Sequence, residues 1–241
     1  MNGMQLKFLG RGSAFNPKEG SNSAYFIDDN CLFLIDCGET VFSQLIKKGL
    51  LTGISAVYLL ITHTHADHIG SLGSLVAYVD KSLHKKVQIV MPRNPKHWPN
   101  IKNILDGTGC LPDQYDVINE ANLDNRFSQF NAVRYVETKH CDELNCYGLI
   151  FTTPTGTIYY SGDTTETAIL ESILSESKPF YRAYVDVTTL DYPGNVHLYV
   201  GELAKAVAEN LRDKIYCMHF NNDACIKQAH ELGFGVVEVE K

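Results

Sequence analysis

No stretch of this 241-residue chain approaches the roughly 20 consecutive apolar residues that a membrane-spanning helix needs. Basic charge is scarce too: 21 lysines and arginines face 28 aspartates and glutamates, a formal net charge of −7. That balance argues against a broad polyanion-binding surface, which carries a basic footprint. The local group Lys81, Lys85 and Lys86 reads as solvated surface. The opening MNGMQLKFLGRGSAF lacks a basic region followed by an apolar core, so no secretory signal is read there and a cytoplasmic location is expected. Seven cysteines, odd in number and without framework spacing, fit reduced thiols better than disulfides. Low-complexity linkers and short-period repeats are missing as well.

What remains is an ordinary globular composition, 44% hydrophobic and 20% charged, enough for a sizeable core. Short β-branched runs recur, among them CLFLID, AVYLLIT, KVQIVM, TIYYSG, AYVDVTT and KIYCMHF. Helical patterns interrupt them, such as SLGSLVAYVDKSL, TAILESILSES and VGELAKAVAENLRD. In the last of these Leu203, Ala206, Val207 and Leu211 form one stripe, which predicts a continuous helix to about Asp213. The whole reads as an α/β chain, one domain over residues 1–241. Residues 92–126 differ: proline, glycine and asparagine punctuate short fragments around the single tryptophan, Trp98. A structured connection with Trp98 packed inside is the preferred reading over a substrate-facing lid.

Three histidines and an aspartate crowd residues 63–68, HTHADH. Alternate residues of an extended backbone share a face, so His63, His65 and Asp67 point one way as the chain leaves AVYLLI. His68 follows as the chain bends into a helix. Imidazole and carboxylate are ligands that borderline dications prefer. His140, Asp163 and His219 each lie just past another strand-like run, and ligands at strand ends converge at one sheet edge. Seven such groups suffice for two metals if Asp163 bridges them.

HTHADH also resembles the His-x-His-x-Asp-His signature of the metallo-β-lactamase superfamily. The likeness extends from FLGRGSAF through LIDCGE, His140 and SGDT to the terminal MHF. It implies an αββα sandwich of two mixed β-sheets flanked by helices. One metal would sit on His63, His65 and His140, the other on Asp67, His68 and His219, with Asp163 bridging. The donor set suits zinc, with manganese or iron as alternatives.

Within the superfamily, NVHLYVGELAKAVAENL resembles the His-plus-Glu motif of the ribonuclease Z branch. That resemblance implies His197 over the scissile phosphate, oriented by Glu202. A poor alkoxide leaving group needs proton donation, which gives such a histidine its purpose. The implied mechanism is in-line attack by a metal-held hydroxide steered by Asp67. Ser13 and the Gly10–Gly12 turn are candidates to lie near the phosphate. Two departures matter. Only 22 residues separate His140 from Asp163, and a hairpin through PTGT fills them, leaving no room for a tRNA-gripping arm. Arg11 also stands where the branch usually carries threonine.

Without the arm, the chain is similar in size and motif order to compact ribonuclease Z-like phosphodiesterases that open cyclic mononucleotides. That resemblance implies hydrolysis of a small phosphodiester, with a cyclic mononucleotide as first choice and tRNA disfavoured. A ribonuclease Z-like RNA 3′-processing endonuclease and a thioester hydrolase are the alternatives within the fold. A non-catalytic scaffold would have lost ligands. Trp98 and Tyr192 are aromatic candidates to meet a base, with packing the commoner role. The branch also implies a homodimer.

Overall fold

The computed structural model describes residues 4–240 and contains two mixed six-stranded sheets packed face to face and flanked by helices. The first sheet holds β1 (Lys7–Gly10), β2 (Ser23–Asp28), β3 (Cys31–Ile35), β4 (Ala56–Leu60), β5 (Val87–Met91) and β6 (Tyr115–Asn119), in that spatial order. The second holds β7 (Ala132–Thr138), β8 (Cys146–Thr153), β9 (Gly156–Tyr160), β10 (Phe180–Asp186), β11 (Ile215–Met218) and β12 (Gly235–Val236). Each sheet begins with two antiparallel pairings and continues with three parallel ones.

The apolar runs explain the layering. β3 is buried on both faces: Phe33 and Ile35 enter the core between the sheets, Leu32 and Leu34 the layer beneath the helices. That helical layer consists of α1 (Val41–Lys47), α3 (Leu72–Leu83) and α4 (Trp98–Gly107), which bury Leu45, Leu75, Val79 and Leu105 against the first sheet. Between the sheets Phe33 stacks on Phe26 at 4.6 Å and on Tyr58 at 4.8 Å, with Phe130 edge-on at 5.4 Å. α5 (Ala168–Ser175), α6 (Val200–Ala206) and α7 (Asp223–Glu231) add Leu170, Leu203 and Ala229 on the side of the second sheet. Each fully buried leucine, isoleucine, valine or phenylalanine among them contributes roughly 1.5–3 kcal/mol.

Two expectations need correction. The helix expected to run to Asp213 stops at Ala206, with Val207 extended and a 3-10 turn over Glu209–Lys214. Arg212 causes the stop: its guanidinium donates to the carbonyls of Ala204, Val207 and Leu232, satisfying helix-end acceptors that a further turn would have used. Residues 92–126 contain a strand, β6, that the runs above do not include. As an edge strand with one paired side, its sequence YDVIN needs no continuous apolar face. Trp98 packs against the helical layer beside Tyr115, ring centroids 6.2 Å apart.

β7, β9, β10 and β11 run in one direction within the second sheet, as β3 and β4 do within the first. Their carboxyl ends meet at one edge of the sandwich, the usual place for ligands in sheets of this kind.

Candidate metal centre

Beyond β4 the chain stays extended to His65, the N-cap of the single-turn helix α2 (Ala66–Ile69), which carries Asp67 and His68. The turn is pressed onto the segment after β3: a Cβ added to Gly38 would lie 1.7 Å from the Asp67 carbonyl oxygen, so only glycine fits. Asp36, with φ of 63°, and His219, with φ of 60°, hold left-handed backbone that costs a non-glycine residue about 1–3 kcal/mol. Local bonds offset that strain. Asp36 accepts from the Thr62 amide at 2.7 Å and hydroxyl at 2.8 Å. Past His219, the Phe220 amide donates to Arg11 O at 2.8 Å, and Phe220 O accepts from the Ser13 amide at 3.1 Å and Asn16 Nδ2 at 2.9 Å.

Two groups of ligand atoms result. His63 Nε2 lies 3.0 Å from His65 Nδ1, which lies 3.1 Å from His140 Nε2. Asp67 Oδ2 lies 3.3 Å from His68 Nε2 and 3.2 Å from His219 Nε2. Asp163 stands between the groups: Oδ1 is 3.3 Å from His68 Nε2, and Oδ2 is 3.5 Å from His219, 3.7 Å from His140 and 3.8 Å from His63. Tetrahedral bonds of about 2.0–2.1 Å require ligand atoms about 3.3–3.4 Å apart, so the spacing fits an ion in each group.

The far sides of the rings are fixed too. His68 Nδ1 meets Asp36 Oδ2 at 2.9 Å and His140 Nδ1 meets Val196 O at 2.7 Å, while His219 Nδ1 lies at ion-pair distance, 3.2 Å, from Asp186 Oδ1 without hydrogen-bond geometry. Such partners set the tautomer and aim the other nitrogen at a metal. His68 Nε2 and Asp163 Oδ1 are buried with no hydrogen-bond partner among the described residues, an expense otherwise hard to explain.

Charge supports the same fit. Asp36, Asp67, Asp163 and Asp186 are all buried, and among the described residues no lysine or arginine lines the cavity above them. Burial lowers the His68 and His219 pKa values, but Asp163 with the neighbouring carboxylates outweighs it: His68 is held well above the usual imidazole range, and His219 is raised to about 10. The carboxylates thus draw positive charge wherever they can, and dications would supply it. Burial, with His68 nearby, keeps His63 well below its ordinary value, and burial with His140 lowers His65, both suited to ligation as neutral imidazoles.

His197 lines the same cavity with its side chain 25% exposed, and its Nδ1 is held by Asp186 Oδ2 at 2.8 Å. Burial lowers its pKa, yet the Asp186 carboxylate beside it leaves a net rise. Glu202 is not its partner. It sits in the first turn of α6, 53% exposed, with its carboxylate on Lys205 Nζ at 2.6 Å. The bend at Tyr199, N-cap of α6, separates the two residues that the five-residue spacing had paired. Asp186, absent from the residues the sequence singles out, carries the same signal: like His63, Asp163 and His219, it stands at the end of an apolar strand, AYVD.

Ser13 is correspondingly not a lining residue; its amide is spent on Phe220, and the cavity mouth is formed by Ala14 and Phe15. Arg11 pairs with Glu19 at 2.7 Å and with the Val237 carbonyl at 2.8 Å, anchoring this loop rather than reaching the site. A larger cavity of about 480 Å³, between Gln5, Arg182 and Tyr216, lies at the opposite end of β10 and holds no comparable ligand cluster.

Fold and site together define a protein of the metallo-β-lactamase fold with a His/Asp cluster suited to divalent metals. Among solved structures, the metallo-β-lactamase fold protein YhfI from Bacillus subtilis superposes with a TM-score of 0.72 at 19% identity, covering 98% of this chain and 95% of that one. The short form of human tRNase Z gives 0.65 at 19% identity, covering 98% and 97%. The chain belongs to the Anti-Pycsar protein Apyc1 family, whose model matches residues 4–239. A relative of that name from Bacillus phage 010DV004 is 26% identical over 91% of this chain and 90% of its own length. Among the described residues no helix is long and apolar enough to cross a membrane.

Proposed function

We propose that the chain is a two-metal phosphodiesterase that opens a cyclic mononucleotide. The observation that carries this reading is the Asp186–His197 pair beside two ligand triads that share Asp163. A thioester hydrolase has no need of a proton donor for an alkoxide; a phosphodiesterase does.

His63, His65 and His140 would hold one ion, Asp67, His68 and His219 the other, and Asp163 both. Zinc is the ion best suited to these donors. When bound, the ions supply positive charge at the scissile phosphate and acidify water. The chain's own residues do the rest. Asp186 Oδ2 accepts the Nδ1–H of His197 and favours the imidazolium, whose Nε2–H is then the proton given to the departing alkoxide. Oδ2 of Asp67 faces His68 and His219, leaving Oδ1 to orient the attacking water.

The substrate is small on this reading. The cavity measures about 350 Å³, at the lower end of the roughly 300–1,000 Å³ typical of small-molecule sites. β8 and β9 occupy the segment between His140 and Asp163 as an antiparallel hairpin, so a tRNA-gripping arm has no place there. The anti-Pycsar relatives, together with the resemblance to compact cyclic-nucleotide phosphodiesterases, support the cyclic mononucleotide. A homodimer acting in the cytoplasm completes the proposal; seven free cysteines suit that reducing compartment.

Turnover of a panel by the metal-loaded protein tests it: 3′,5′-cyclic nucleotides, bis(p-nitrophenyl) phosphate, a precursor tRNA and a glutathione thioester, with Asp67→Ala as contamination control. Cleavage of cyclic nucleotides with tRNA intact is expected. Thioester cleavage with every phosphodiester untouched would overturn the role given to His197.

A further inference from the structure

Phe15 is 97% exposed, far beyond the next large apolar side chains, Leu111 at 58% and Tyr192 at 54%. One exposed apolar residue is ordinary by itself. This one occupies the tip of a tight turn, closed by the Asn16 amide donating to Ser13 O at 2.9 Å. The loop beneath it is tied down from several sides. Gly12 N donates to Gly20 O at 2.8 Å, Asn16 Nδ2 to Phe220 O at 2.9 Å, and Lys18 pairs with Asp223 at 2.8 Å. A rigid loop therefore carries a bare aromatic ring at the lip of the cavity that holds Asp67, His140, Asp163 and His197.

The rest of that cavity says what the ring is for. Apart from the site residues, its wall consists of Ala14, Ala66, Val196 and the carboxylate of Glu39. Of these only Glu39 is polar, and a single carboxylate accepts without donating, so the wall lacks the mixed donor and acceptor pattern that tells one base from another. Neither Trp98 nor Tyr192 lines it. A phosphate held at the metal end leaves its flat substituent against apolar wall, where an aromatic face is the available attraction. Stacking on such a face is worth roughly 1–3 kcal/mol per base. Because the loop is already fixed, little ordering entropy opposes the contact.

We infer that Phe15 is the platform on which the heteroaromatic ring of the substrate stacks, so the site takes phosphodiesters bearing a flat ring. The inference rests on the phosphodiesterase reading for its substrate and deepens it. Phe15→Ala raises KM for a nucleoside 3′,5′-cyclic phosphate by about 5- to 150-fold, the factor equivalent to that stacking energy, with kcat kept. Phe15→Trp retains the wild-type KM. A base-free ribose 3′,5′-cyclic phosphate is handled equally by all three proteins.

The tryptophan variant also gives a direct binding signal. Its emission is quenched on titration with a nucleoside 5′-monophosphate, whereas wild-type emission from the packed Trp98 is not. A fall in kcat at unchanged KM, equal losses on the base-free diester, or altered self-association of Phe15→Ala with unchanged KM would overturn the inference. If the wild-type protein cleaves no nucleotide diester, the phosphodiesterase reading fails. Quenching in Phe15→Trp, or its absence, then still decides the platform.

Discussion

Replacing Asp186 by asparagine leaves the shape of the site intact and removes one negative charge from between two imidazoles. Its Oδ2 lies 2.8 Å from His197 Nδ1 and its Oδ1 3.2 Å from His219 Nδ1. A hydrogen bond to a charged group is worth about 1.5–3 kcal/mol, or about 10- to 150-fold in rate if it acts only in the transition state. For Asp186→Asn we therefore expect kcat on a cyclic nucleotide to fall within that range and KM to stay put. Assays at saturating metal remove any contribution from weaker ligation by His219, whose outer partner is lost. Two comparisons sharpen the reading. Because Asp186 and His197 act as a unit, Asp186→Asn in a His197→Ala background should cost almost nothing more. Bis(p-nitrophenyl) phosphate, whose leaving group needs no proton, should be nearly indifferent to either change. Multiplicative losses in the double variant, or equal losses on both substrates, would refute the claim that the pair serves the leaving group.

Other outcomes follow from the same geometry. Glu202→Ala should leave turnover and metal content unchanged, since its carboxylate meets only the exposed Lys205; a loss comparable with His197→Ala would restore the sequence-based pairing. His97 is buried beside Tyr147, and burial lowers its pKa from 6.5 to about 4, so the unfolded chain binds its proton first as pH falls. Its contribution is complete above pH 6.5 and is lost progressively down to about pH 4. The total is about 3 kcal/mol, and urea unfolding of His97→Phe should lack that part of the acid slope. Chelation should lower Tm, because ligand at 1,000 times its Kd stabilises by about 4 kcal/mol; an unchanged Tm would mean that the buried carboxylates need no cation.

The candidate ligand set was legible because its chemistry is local: HTHADH announces itself, and the distal candidates repeat one grammar, an apolar strand ending in His or Asp. Asp186 obeys that grammar. Spacing alone does not single it out, because its partner is set by pairing, β10 lying parallel to β11 with Asp186 opposite Met218, next to His219. Sequence proximity favoured Glu202, which the bend at Tyr199 turns outward. The sandwich was legible in runs such as CLFLI, buried on both faces. β6 was not, because an edge strand carries a weaker pattern, and the end of α6 depends on a guanidinium eight residues beyond Ala204. Phe15 was in view within GRGSAF, but exposure is a property of the fold, and nothing in that string foretells it.

The central claim is two ions on seven side chains, and metal stoichiometry tests it most directly. After stripping and reloading with zinc, elemental analysis of the desalted protein should find two ions per chain, and His140→Ala should retain the one held by Asp67, His68 and His219. A single ion in the wild-type protein, or none, would contradict the account.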